Sequence, residues 1–545
     1  MIEVSGIRIP LSQLDGTERA ETRACRKALV RMLRVRPGDI LQLDLRKRSV
    51  DARKKDAIVL TFAVWAKVRG DEHDIARRAG KRARVVAVTP RELPARLESA
   101  PDERPVVVGA GCAGLFCALA LASAGLRPLL VERGDDAERR TAKVRRFNET
   151  GELDPQSNIQ FGLGGAGTFS DGKLGTGTKS TAHRLILEAL VDAGAQQRIL
   201  WDAKPHAGSD VLPTVVSNLV RRIEELGGEV RFRTRLVGLD VADGTVRGVT
   251  LASDTGEQHV GAAHVVLACG HSARDVFELA RAAGITLERK TFAMGMRIEH
   301  AQALVDHALY GRSAGHPALG AASYKLATHL PGGRSAFSFC MCPGGYVVAA
   351  ASEPGGVVTN GMSLSDRAGA NANAGLLANV FPDDLPGDDV LAGVDLQRAC
   401  EQAAFDAGGG SFVAPAQLVG DFLGGNASTG AGTVAPTYPR GVAWGSIAGT
   451  LPPYVLDTLR DAIPLMARKL HGFNAADAVL TGVETRSSSP VRMTRDEDGQ
   501  SVSTRGLWPC GEGAGYAGGI MSAATDGLRT AEAIVRACER QMGAR

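Results

Sequence analysis

Alternating and periodic hydrophobic positions at the start of the chain predict a small α/β unit. From Ile2 to Leu11 apolar residues alternate roughly as in a strand, and from Glu18 to Arg34 they recur near helical spacing. Further elements are predicted at Asp39 to Leu45 (strand), Ala57 to Val68 (strand), Asp71 to Ala79 (helix) and Ala83 to Val88 (strand). This β-α-β-β-α-β order is typical of a ferredoxin-like fold. The proline-rich stretch from Pro90 to Pro105 predicts a linker after it.

A strand, a glycine-rich turn and a helix follow the linker in an order that predicts a dinucleotide-binding fold. Val106 to Val108 form a buried strand, and Gly109, Gly111 and Gly114 stand at G-x-G-x-x-G spacing. Glycines at these places permit the turn, the approach of a pyrophosphate and close helix packing. Glu132 ends the next strand, 23 residues after Gly109, where a carboxylate can accept both hydroxyls of an adenosine ribose. A glycine-rich loop beside an apolar helix is the competing interpretation, but it leaves Glu132 unexplained.

The segment from Val106 to Leu126 has no charged residue over 21 positions, which is long enough for a membrane-spanning helix. Four glycines interrupt it, and the strand and turn occupy its first third. We therefore predict a buried strand followed by a buried helix, and no membrane span.

A second glycine-rich segment, Phe161 to Leu174, mixes glycines with hydroxyl side chains and one lysine. Because glycine has no side chain, such a segment can press its backbone against a flat or charged ligand; a merely flexible loop is the alternative. A helix is then predicted from Leu212 to Leu226. Three strands of a β-meander are predicted at Glu229 to Leu239, Thr245 to Leu251 and His259 to Ala268.

The pattern becomes more mixed after about residue 290, where we predict an inserted domain of mixed strands and helices that extends to residue 478. Strands are expected between Ser335 and Ala351, a covering loop from Gly408 to Thr437, and a helix from Pro453 to Leu470. The end of the chain, from Gly511 to Ile520, again combines glycines with an acid ahead of a helix from Met521 to Cys538. A carboxylate there can bind a ribityl hydroxyl, and the helix N-terminus favours negative charge beside it.

Composition places the chain among ordinary globular proteins, with 545 residues, 44% hydrophobic residues and a formal net charge of +4. This length predicts two or three domains. The charge is uneven, because residues 1–100 carry +10 and the remainder carries −6. Six bases lie between Arg46 and Lys55. They are consistent with phosphate or RNA binding, or with a solvated hairpin that protects a sheet edge. Because no aromatic residues interleave for base stacking, nucleic acid binding is the less favoured interpretation.

Nine cysteines without framework spacing predict reduced thiols. The first residues lack the basic and apolar regions of a signal peptide, so we expect a cytoplasmic protein. Glu299 and His300 are adjacent, but no second pair has the spacing of metal ligands, so no metal site is predicted.

Four motifs resemble the uncharacterised bacterial FAD-dependent dehydrogenase family, a group of glutathione-reductase-like NAD(P)/FAD-dependent oxidoreductases. They run from Gly164 to Lys173, from Phe339 to Gly345, from Val483 to Pro490 and from Gly511 to Ile520. The resemblance extends over nearly the whole chain, including Arg53-Lys54-Lys55. It implies an α/β architecture with four segments: an N-terminal ferredoxin-like domain (1–98), a glutathione-reductase-like FAD-binding Rossmann domain with a β-meander (104–288), an inserted mixed α+β substrate domain (289–478) and a return segment of the FAD-binding domain (479–545).

By resemblance, FAD binds along the glycine-rich segments from both halves of the chain. The ADP half is assigned to Gly109, Gly111, Gly114 and Glu132, with the backbone of Leu236 against adenine. Glu512, beside Gly511, is assigned to the ribityl chain, and Gly519 and Ile520 to N–H groups that face the flavin pyrimidine. The pyrophosphate and flavin ring are assigned to Gly165, Thr168, Ser170 and Lys173. The remaining residues expected to bind the cofactor are Arg133, Gly164, Gly167, Ala268 and Gly270.

The leading hypothesis is an FAD-dependent oxidoreductase that transfers two electrons between a small-molecule substrate and a second partner. No second dinucleotide fold is recognisable for NAD(P)H, so a nicotinamide donor binds transiently over the flavin or not at all. The alternatives are an RNA-modifying or RNA-binding protein that uses the basic N-terminal domain, a flavin monooxygenase, and a flavin-binding structural or sensor protein without turnover.

The candidate catalytic residues are two cysteines and an acid–base pair in the predicted inserted domain and just after it. Cys340 and Cys342 are candidates as thiols near the flavin. Two cysteines at i and i+2 in a strand share one face, so packing on a buried face is the favoured interpretation. Glu484 and Arg486 either bind an anionic substrate or pair with each other.

Overall fold

The computed structural model describes residues 1–87, 91–99, 101–175, 177 and 180–543. At the N-terminus the elements follow the predicted order: β1 (Ile2–Pro10), α1 (Glu18–Leu33), β2 (Ile40–Asp51), β3 (Val59–Val68), α2 (Glu72–Ala79) and β4 (Ala83–Val85). The strands form one antiparallel sheet in the order β2-β3-β1-β4. The last strand is shorter than predicted. Val88 and Pro90, at the predicted end of this strand and start of the linker, lie outside the described residues.

Alternation along β3 explains how this sheet packs. Leu60, Phe62, Val64 and Ala66 are each at most 1% exposed, whereas the residues between them are partly exposed. This is the pattern of a strand with one face against a core. α1 contacts β1, β2 and α2, so the two helices lie together over the sheet.

The basic segment from Arg46 to Lys55 is a solvated hairpin only at its end. β2 continues to Asp51, and the last three residues of the segment are exposed. Within β2, Arg48 donates from Nε to Oε1 of Glu21 (2.8 Å) and from Nη2 to the carbonyl oxygen of Ala318 (2.6 Å). The solvated-hairpin interpretation therefore holds for Arg53, Lys54 and Lys55 but not for Arg48, whose side chain is only 10% exposed because it bonds groups distant in the sequence.

The next part of the chain alternates strands and helices. It contains, in order, β5 (Val106–Val108), α3 (Cys112–Ser123), β6 (Leu129–Val131), α4 (Ala137–Thr150), α5 (Ala182–Asp192), α6 (Leu212–Glu225), β7 (Glu229–Arg231), β8 (Arg235–Ala242), β9 (Thr245–Ser253), β10 (Gly256–Gly261), β11 (Val265–Leu267), α7 (Arg274–Ala282) and β12 (Leu287–Arg289).

The remaining elements are mostly strands, and the chain ends in a long helix. They are β13 (Phe292–Ala301), α8 (Gln302–Tyr310), β14 (Ala327–His329), β15 (Ser335–Cys342), β16 (Gly345–Ala349), β17 (Thr359–Ser363), β18 (Asn371–Val380), α9 (Ala392–Ala407), β19 (Ala414–Leu418), α10 (Val419–Gly424), β20 (Val442–Trp444), α11 (Pro453–Ala467), β21 (Val479–Glu484), β22 (Val491–Met493), β23 (Leu507–Pro509) and α12 (Ile520–Gly543).

A five-stranded parallel sheet in the order β23-β11-β5-β6-β7 organises the dinucleotide-type fold. Its edge strand β23 comes from the end of the chain, and α12 then packs against α3. α3 is buried on nearly all sides, as expected of a helix without charged residues. Among the described residues, no helix has both the length and the apolar character to span a membrane.

The β-meander consists of β8, β9 and β10, and two of its predicted boundaries are wrong. The first predicted strand, Glu229 to Leu239, is broken at Arg233, which has a φ of 52°, and its first part joins the parallel sheet as β7. The third, His259 to Ala268, divides into the end of β10 and the separate strand β11. Both breaks occur where the chain changes partner sheet, which a hydrophobic pattern does not reveal.

The largest sheet has seven strands in the order β14-β15-β18-β13-β21-β19-β20. α8 and α11 contact it, and the β16-β17 hairpin packs against it as well. The predicted covering loop from Gly408 to Thr437 is wrong, because it contains β19 and α10. The strand sequence of β19, Ala-Pro-Ala-Gln-Leu, has no alternation, and β19 becomes a strand by pairing with β21.

Candidate functional site

The first glycine turn is built by three glycines with different tasks. Gly109 has a φ of 102°, and a Cβ there would lie 2.5 Å from the carbonyl oxygen of Ala268. A Cβ on Gly114 would overlap the carbonyl oxygen of Gly109. Gly111 differs, since its Cβ would meet nothing closer than the Cα of Gly165 at 3.9 Å. Gly109 and Gly114 therefore serve packing, whereas Gly111 leaves space beside the start of α3.

Glu132 connects the turns around it through three backbone hydrogen bonds. It is 5% exposed. Its Oε2 accepts the N–H of Ala110 (2.9 Å), and its Oε1 accepts those of Gly134 and Gly162 (both 2.9 Å). A carboxylate has about four acceptor positions, so roughly one is left for a ligand hydroxyl. The expectation that Glu132 accepts two ribose hydroxyls therefore exceeds the acceptor positions that this arrangement leaves.

The second glycine-rich segment lies directly on the first turn. The N–H of Gly164 donates to the carbonyl oxygen of Ala110 (2.8 Å), and Gly164 has a φ of 86°. A Cβ on Gly165 would lie 3.1 Å from the Cα of Gly111. The segment is thus a close-packed backbone rather than a flexible loop.

Arg140 on α4 fixes the shape of this segment, and sequence reasoning missed it. Its side chain is 0% exposed. It donates to the carbonyl oxygens of five residues at 2.6–3.2 Å, namely Asn158, Ile159, Gly162, Leu163 and Gly165. Burial lowers the pKa of the Arg140 guanidinium to about 10, which keeps it charged at neutral pH. No local signal distinguishes Arg140 from the other arginines of α4.

The last glycine cluster of the chain meets both of these segments. A Cβ on Gly167 would lie 3.1 Å from Cγ1 of Ile520 and 3.8 Å from Sγ of Cys112. The starts of α12 and α3 therefore lie side by side at the second glycine-rich segment. The structure brings together the three segments that the sequence had linked only by motif.

Two more contacts connect the end of the chain to this point, and open space adjoins it. A Cβ on Gly513 would lie 2.5 Å from the carbonyl oxygen of Gly270, and a Cβ on Gly511 would lie 2.8 Å from the Cβ of Ala113. By contrast, a Cβ on Gly270 or Gly519 would meet nothing within 4 Å. Backbone that borders open space at the start of a helix suits a charged or planar ligand.

Glu512 lies in this last glycine cluster, and the pKa of its carboxyl is raised. Burial raises the pKa of the Glu512 carboxyl to about 7, although Lys290 and the N–H of Gly519 act to lower it. Burial also shifts the pKa of Lys290, but it lowers that pKa. Asp526, which sequence reasoning did not select, accepts the N–H of Gly511 (2.7 Å) and pairs with an arginine on the preceding loop.

Several predicted cofactor residues use their side chains within the protein. Arg133 pairs with Asp275 (2.8 Å) and stacks 4.5 Å above the ring of Phe161. The hydroxyl of Ser170 donates to the carbonyl oxygen of Gly167 (2.7 Å). The hydroxyl of Thr168 donates to the carbonyl oxygen of Leu163. Ala268 packs on Gly109. Leu236 is 3% exposed and pairs within the β-meander.

Cys340 and Cys342 do not share one face of a strand, so that expectation is wrong. A bulge interrupts the β15-β18 pairing between Phe339 and Cys342, and Cys340 has a φ of 39°. Cys342 is 0% exposed and donates from Sγ to the carbonyl oxygen of Cys340 (3.0 Å). Burial raises the pKa of the Cys340 thiol to about 12 and also raises that of Cys342. Both thiols are therefore protonated at neutral pH, which disfavours a nucleophile.

Glu484 and Arg486 do not pair with each other, which corrects the second expectation for them. Glu484 pairs with Arg297 (3.0 Å), and both side chains are at most 2% exposed. Arg486 pairs with Glu401 (2.7 Å), which also binds Arg274 (2.8 Å). Each is a buried charge satisfied by its own partner, and they belong to separate clusters.

Glu299 and His300 also face different partners. Glu299 accepts the hydroxyl of Thr437 (2.6 Å), and Nε2 of His300 lies 2.8 Å from the carbonyl oxygen of Phe473. No group of three or more potential metal ligands occurs among the described residues.

Comparisons with known proteins bear on the same segments. A family model described as "FAD-dependent protein, C-terminal domain-like" matches residues 291–487, and one described as "Pyridine nucleotide-disulphide oxidoreductase" matches residues 103–310. A domain of unknown function matches residues 1–65. An "Uncharacterized protein" of Clostridium beijerinckii is 41% identical over 538 residues, which cover 98% of each chain.

Two solved structures that the chain resembles are distant from it in sequence. A geranylgeranyl bacteriochlorophyll reductase-like protein from Thermoplasma acidophilum is 12% identical, with 81% of this chain and 80% of that chain covered and a TM-score of 0.36. The glycerol-3-phosphate dehydrogenase of Bacillus halodurans, solved with FAD, is 14% identical, with 81% and 65% covered and a TM-score of 0.31.

Proposed function

The chain belongs to a family of FAD-dependent oxidoreductases, and from that premise we propose that it transfers two electrons between a small-molecule substrate and a second redox partner. FAD, when bound, supplies the two-electron chemistry, and the protein supplies position and electrostatics. The observation that carries the proposal is the meeting of Gly167, Ile520 and Cys112 at the starts of α12 and α3. It brings both halves of the chain together at one place, which supports a shared ligand site there.

The residues at this meeting point fit a flavin dinucleotide. Gly111, Gly270 and Gly519 border space that a side chain would fill, and two helix starts favour negative charge there. We propose that Gly111 and Glu132 bind the ADP half of FAD. Glu512 faces the ribityl chain, and the N–H groups that begin α12 face the flavin.

The remaining predicted residues act mainly by holding backbone in place. Gly109, Gly114 and Gly164 allow close packing, as their contacts support. Ser170 and Thr168 bond within the second glycine-rich segment. We propose that these residues position the loop and that its backbone, rather than their hydroxyls, contacts the cofactor.

We propose that the substrate binds where the second glycine-rich segment meets the inserted sheet. Nζ of Lys173, at the end of that segment, donates to the carbonyl oxygen of Met341 on β15. Beneath β17, the sheet carries a buried polar layer in which Arg297 bonds Asn373 (3.1 Å) and Glu484. We propose that this polar layer forms one wall of the substrate site. Arg297 donates a 3.0 Å hydrogen bond to the carbonyl oxygen of Cys340 and so fixes that part of the wall.

NAD(P)H is proposed as a transient electron donor. The parallel sheet built on β5 already serves the FAD-type turn, so a nicotinamide would approach the flavin from solvent. Anaerobic rapid mixing of the FAD-loaded protein with NADPH tests this proposal, and the same experiment is repeated with NADH. Bleaching of the flavin absorbance is expected with at least one of them, and flavin that stays oxidised with both would contradict the proposal.

The domain layout is also a proposal. We propose a ferredoxin-like domain at 1–98, which the strand order β2-β3-β1-β4 supports, and a glutathione-reductase-like FAD domain at 104–288 with its return segment. The inserted substrate domain begins at 289. We place its end after Glu484 rather than at 478, since β21 pairs within the seven-stranded sheet.

Purification decides the cofactor proposal. The protein is expected to be yellow, or to become yellow on reconstitution with FAD, with flavin fluorescence quenched on binding. A colourless protein that does not bind FAD after reconstitution would overturn the proposal. A protein that binds FAD but shows no reduction with any donor would instead favour a structural or sensor role.

A further inference from the structure

A group of basic side chains lies where three loops meet beside the second glycine-rich segment. Lys173 lies at the end of that segment, Lys204 precedes α6, and Arg367 follows β17; these three form the cationic cluster. The first two loops are joined by hydrogen bonds from the N–H of Leu174 to the carbonyl oxygen of Pro205 (2.8 Å) and by a bridge between residues 173 and 206. The sequence hypotheses used only Lys173.

Close backbone packing holds the loops in this arrangement. A Cβ on Gly172 would lie 2.9 Å from the nitrogen of Gly208, and a Cβ on Gly208 would overlap the nitrogen of Ser365. Asp210 then accepts both the N–H (2.8 Å) and the hydroxyl (2.6 Å) of Ser365. The cationic cluster is therefore a built feature and not a chance approach of flexible side chains.

One carboxylate lies within the cluster, and it is already satisfied. Asp171 is 2% exposed. It accepts Nε (3.1 Å) and Nη2 (2.5 Å) of Arg367 and pairs with Nζ of Lys173 (3.1 Å). Lys204 does not join this pair and instead donates to the hydroxyl of Ser323 (3.1 Å). The cluster thus holds three cations and one anion.

The third cation has no role in balancing Asp171, and its position is unfavourable. Although Lys204 is exposed at the surface, partial desolvation of its side chain lowers its pKa, and repulsion from Arg367 and Lys173 lowers it further. Burial and the same arginine also lower the pKa of His206, so its ring is neutral at pH 7 and adds no balance. Like charges gathered beside a protein interior are costly unless an anion joins them.

The cluster opens to solvent on one side and reaches the proposed substrate site on the other. Lys204 is exposed, the side chains of Lys173 and Arg367 are 39% and 15% exposed, and Lys173 contacts the Met341 carbonyl oxygen. Tyr324, the neighbour of Ser323 in sequence, packs edge-on against Phe473, with 5.8 Å between the ring centroids. It is 8% exposed, and its hydroxyl has no hydrogen-bond partner among the described residues.

We propose that the cationic cluster binds the carboxylate or phosphate group of an anionic small-molecule substrate. This rests on the proposed flavin reaction, because it names the substrate class of that site. Asp171 takes Nε and Nη2 of Arg367, so Arg367 offers Nη1 to the ligand, and Lys204 contributes a point charge at the entrance of the site. Asp171 holds Arg367 and Lys173 in place and is a positioning residue. Electrostatic attraction at the entrance also raises the rate of substrate arrival.

Calorimetric titration of the FAD-loaded protein with inorganic phosphate and with succinate tests the proposal. Binding of at least one probe is expected, and the probe that binds more tightly identifies phosphate or carboxylate as the preferred group. Lys204→Met removes an exposed charge and should weaken binding about fivefold, since such a charge contributes about 1 kcal/mol. Lys204→Glu should weaken it more. Lys81→Met, at an exposed lysine of the N-terminal sheet unit, is the matched control and should bind as the wild type does.

Arg367→Lys provides a second variant that keeps a charge beside Asp171 but removes the Nη1 donor that Arg367 offers to the ligand. It should fold, and it should weaken phosphate or succinate binding while FAD content stays unchanged. The inference is overturned if neither probe binds the wild type, or if both bind Lys204→Glu with unchanged affinity. FAD content measured in the same samples separates the two proposals: yellow protein without anion binding sinks only this inference. Colourless protein that binds anions through Lys204 sinks the flavin function and leaves the anion site standing.

Discussion

The N–H of Gly164 donates a 2.8 Å hydrogen bond to the carbonyl oxygen of Ala110. This single bond places the second glycine-rich segment on the first glycine turn, although the two are far apart in the sequence. Gly165 then approaches Gly111 so closely that a Cβ would lie 3.1 Å from its Cα. The proposed FAD site therefore depends on two turns that hold each other, with Glu132 bonded to both.

Alanine at two glycines of the first turn is expected to have opposite consequences. Gly111→Ala places a methyl group 3.9 Å from its nearest neighbour, so the protein should keep its stability but bind FAD at least about tenfold more weakly, a loss of about 1.4 kcal/mol. Gly114→Ala overlaps the Gly109 carbonyl oxygen and should destabilise the fold by several kcal/mol (about 1–3 for overpacking, and more where backbone must shift). FAD titration and urea unfolding measure the two effects.

Gly332→Ala is the control for this pair, because a Cβ there meets nothing within 4 Å and Gly332 lies far along the chain, in the turn between β14 and β15. It should change neither measurement. Equal loss of FAD affinity in Gly332→Ala, or full FAD binding in Gly111→Ala, would show that the space beside Gly111 does not receive the cofactor.

The apoprotein is expected to lose stability between pH 4.5 and pH 7 through Glu512. Burial raises the pKa of this carboxyl from 4.5 to about 7, against the lowering effects of Lys290 and the Gly519 N–H. A raised carboxyl pKa stabilises the fold fully below the unfolded value, and that stability is lost as pH rises through 7. Because Glu512 is partly exposed, we expect the free energy of unfolding to change by about 1–2 kcal/mol.

Glu512→Gln should remove this part of the pH dependence, as measured by urea unfolding of the FAD-free protein from pH 4.5 to pH 8. Glu278→Gln, at an exposed carboxyl on α7, should retain the wild-type profile. Parallel profiles for wild type and Glu512→Gln would mean that Glu512 is not buried as described.

The contribution of Glu401 to the free energy of unfolding should depend on pH in the opposite direction from that of Glu512. Burial would raise its pKa, but Arg486 and Arg274 outweigh burial and lower it to about 2. A lowered carboxyl pKa stabilises the protein above the unfolded value of 4.5, and that contribution is lost as pH falls from 4.5 towards 2. The shift corresponds to about 3 kcal/mol.

Glu401→Gln should therefore unfold at a lower urea concentration at pH 7. Its free energy of unfolding should fall by about 3–5 kcal/mol, because two buried arginines lose their charge partner. Its stability should also fall less steeply below pH 4.5. Asp395→Asn, an exposed acid on the same helix, is the control and should leave the slope unchanged. If Glu401→Gln kept the full acid slope, other carboxylates would have to account for it.

Cys340 is expected to be unreactive in the folded protein. Burial raises the pKa of its thiol to about 12, so only about one molecule in 10⁵ carries a thiolate at pH 7. Iodoacetamide at pH 7, followed by peptide mass spectrometry, should label Cys340 only after unfolding in urea, which serves as the internal control. Rapid labelling of the native protein would restore the hypothesis that Cys340 transfers electrons or adds to a substrate.

Local pattern was sufficient for the elements that depend on neighbours in sequence. The strand, turn and helix from β5 to α3, the acid Glu132 at the end of β6, and the order of the N-terminal elements are all present as predicted. In each case the spacing of apolar residues and glycines fixes a backbone conformation within a few residues. The prediction of a single strand from His259 to Ala268 is wrong, because its two halves pair with different sheets.

Local pattern therefore predicted most of the short strands, helices and glycine turns, and it predicted that several of them suit a dinucleotide. Which side chains become partners depends on packing in three dimensions. Arg140 holds the second glycine-rich segment, Glu484 pairs with Arg297 instead of Arg486, and Lys204 joins Lys173 and Arg367. Partner choice of this kind is decided by the burial of charge, which must be balanced by whichever group packing brings near, and spacing along the chain carries no record of that.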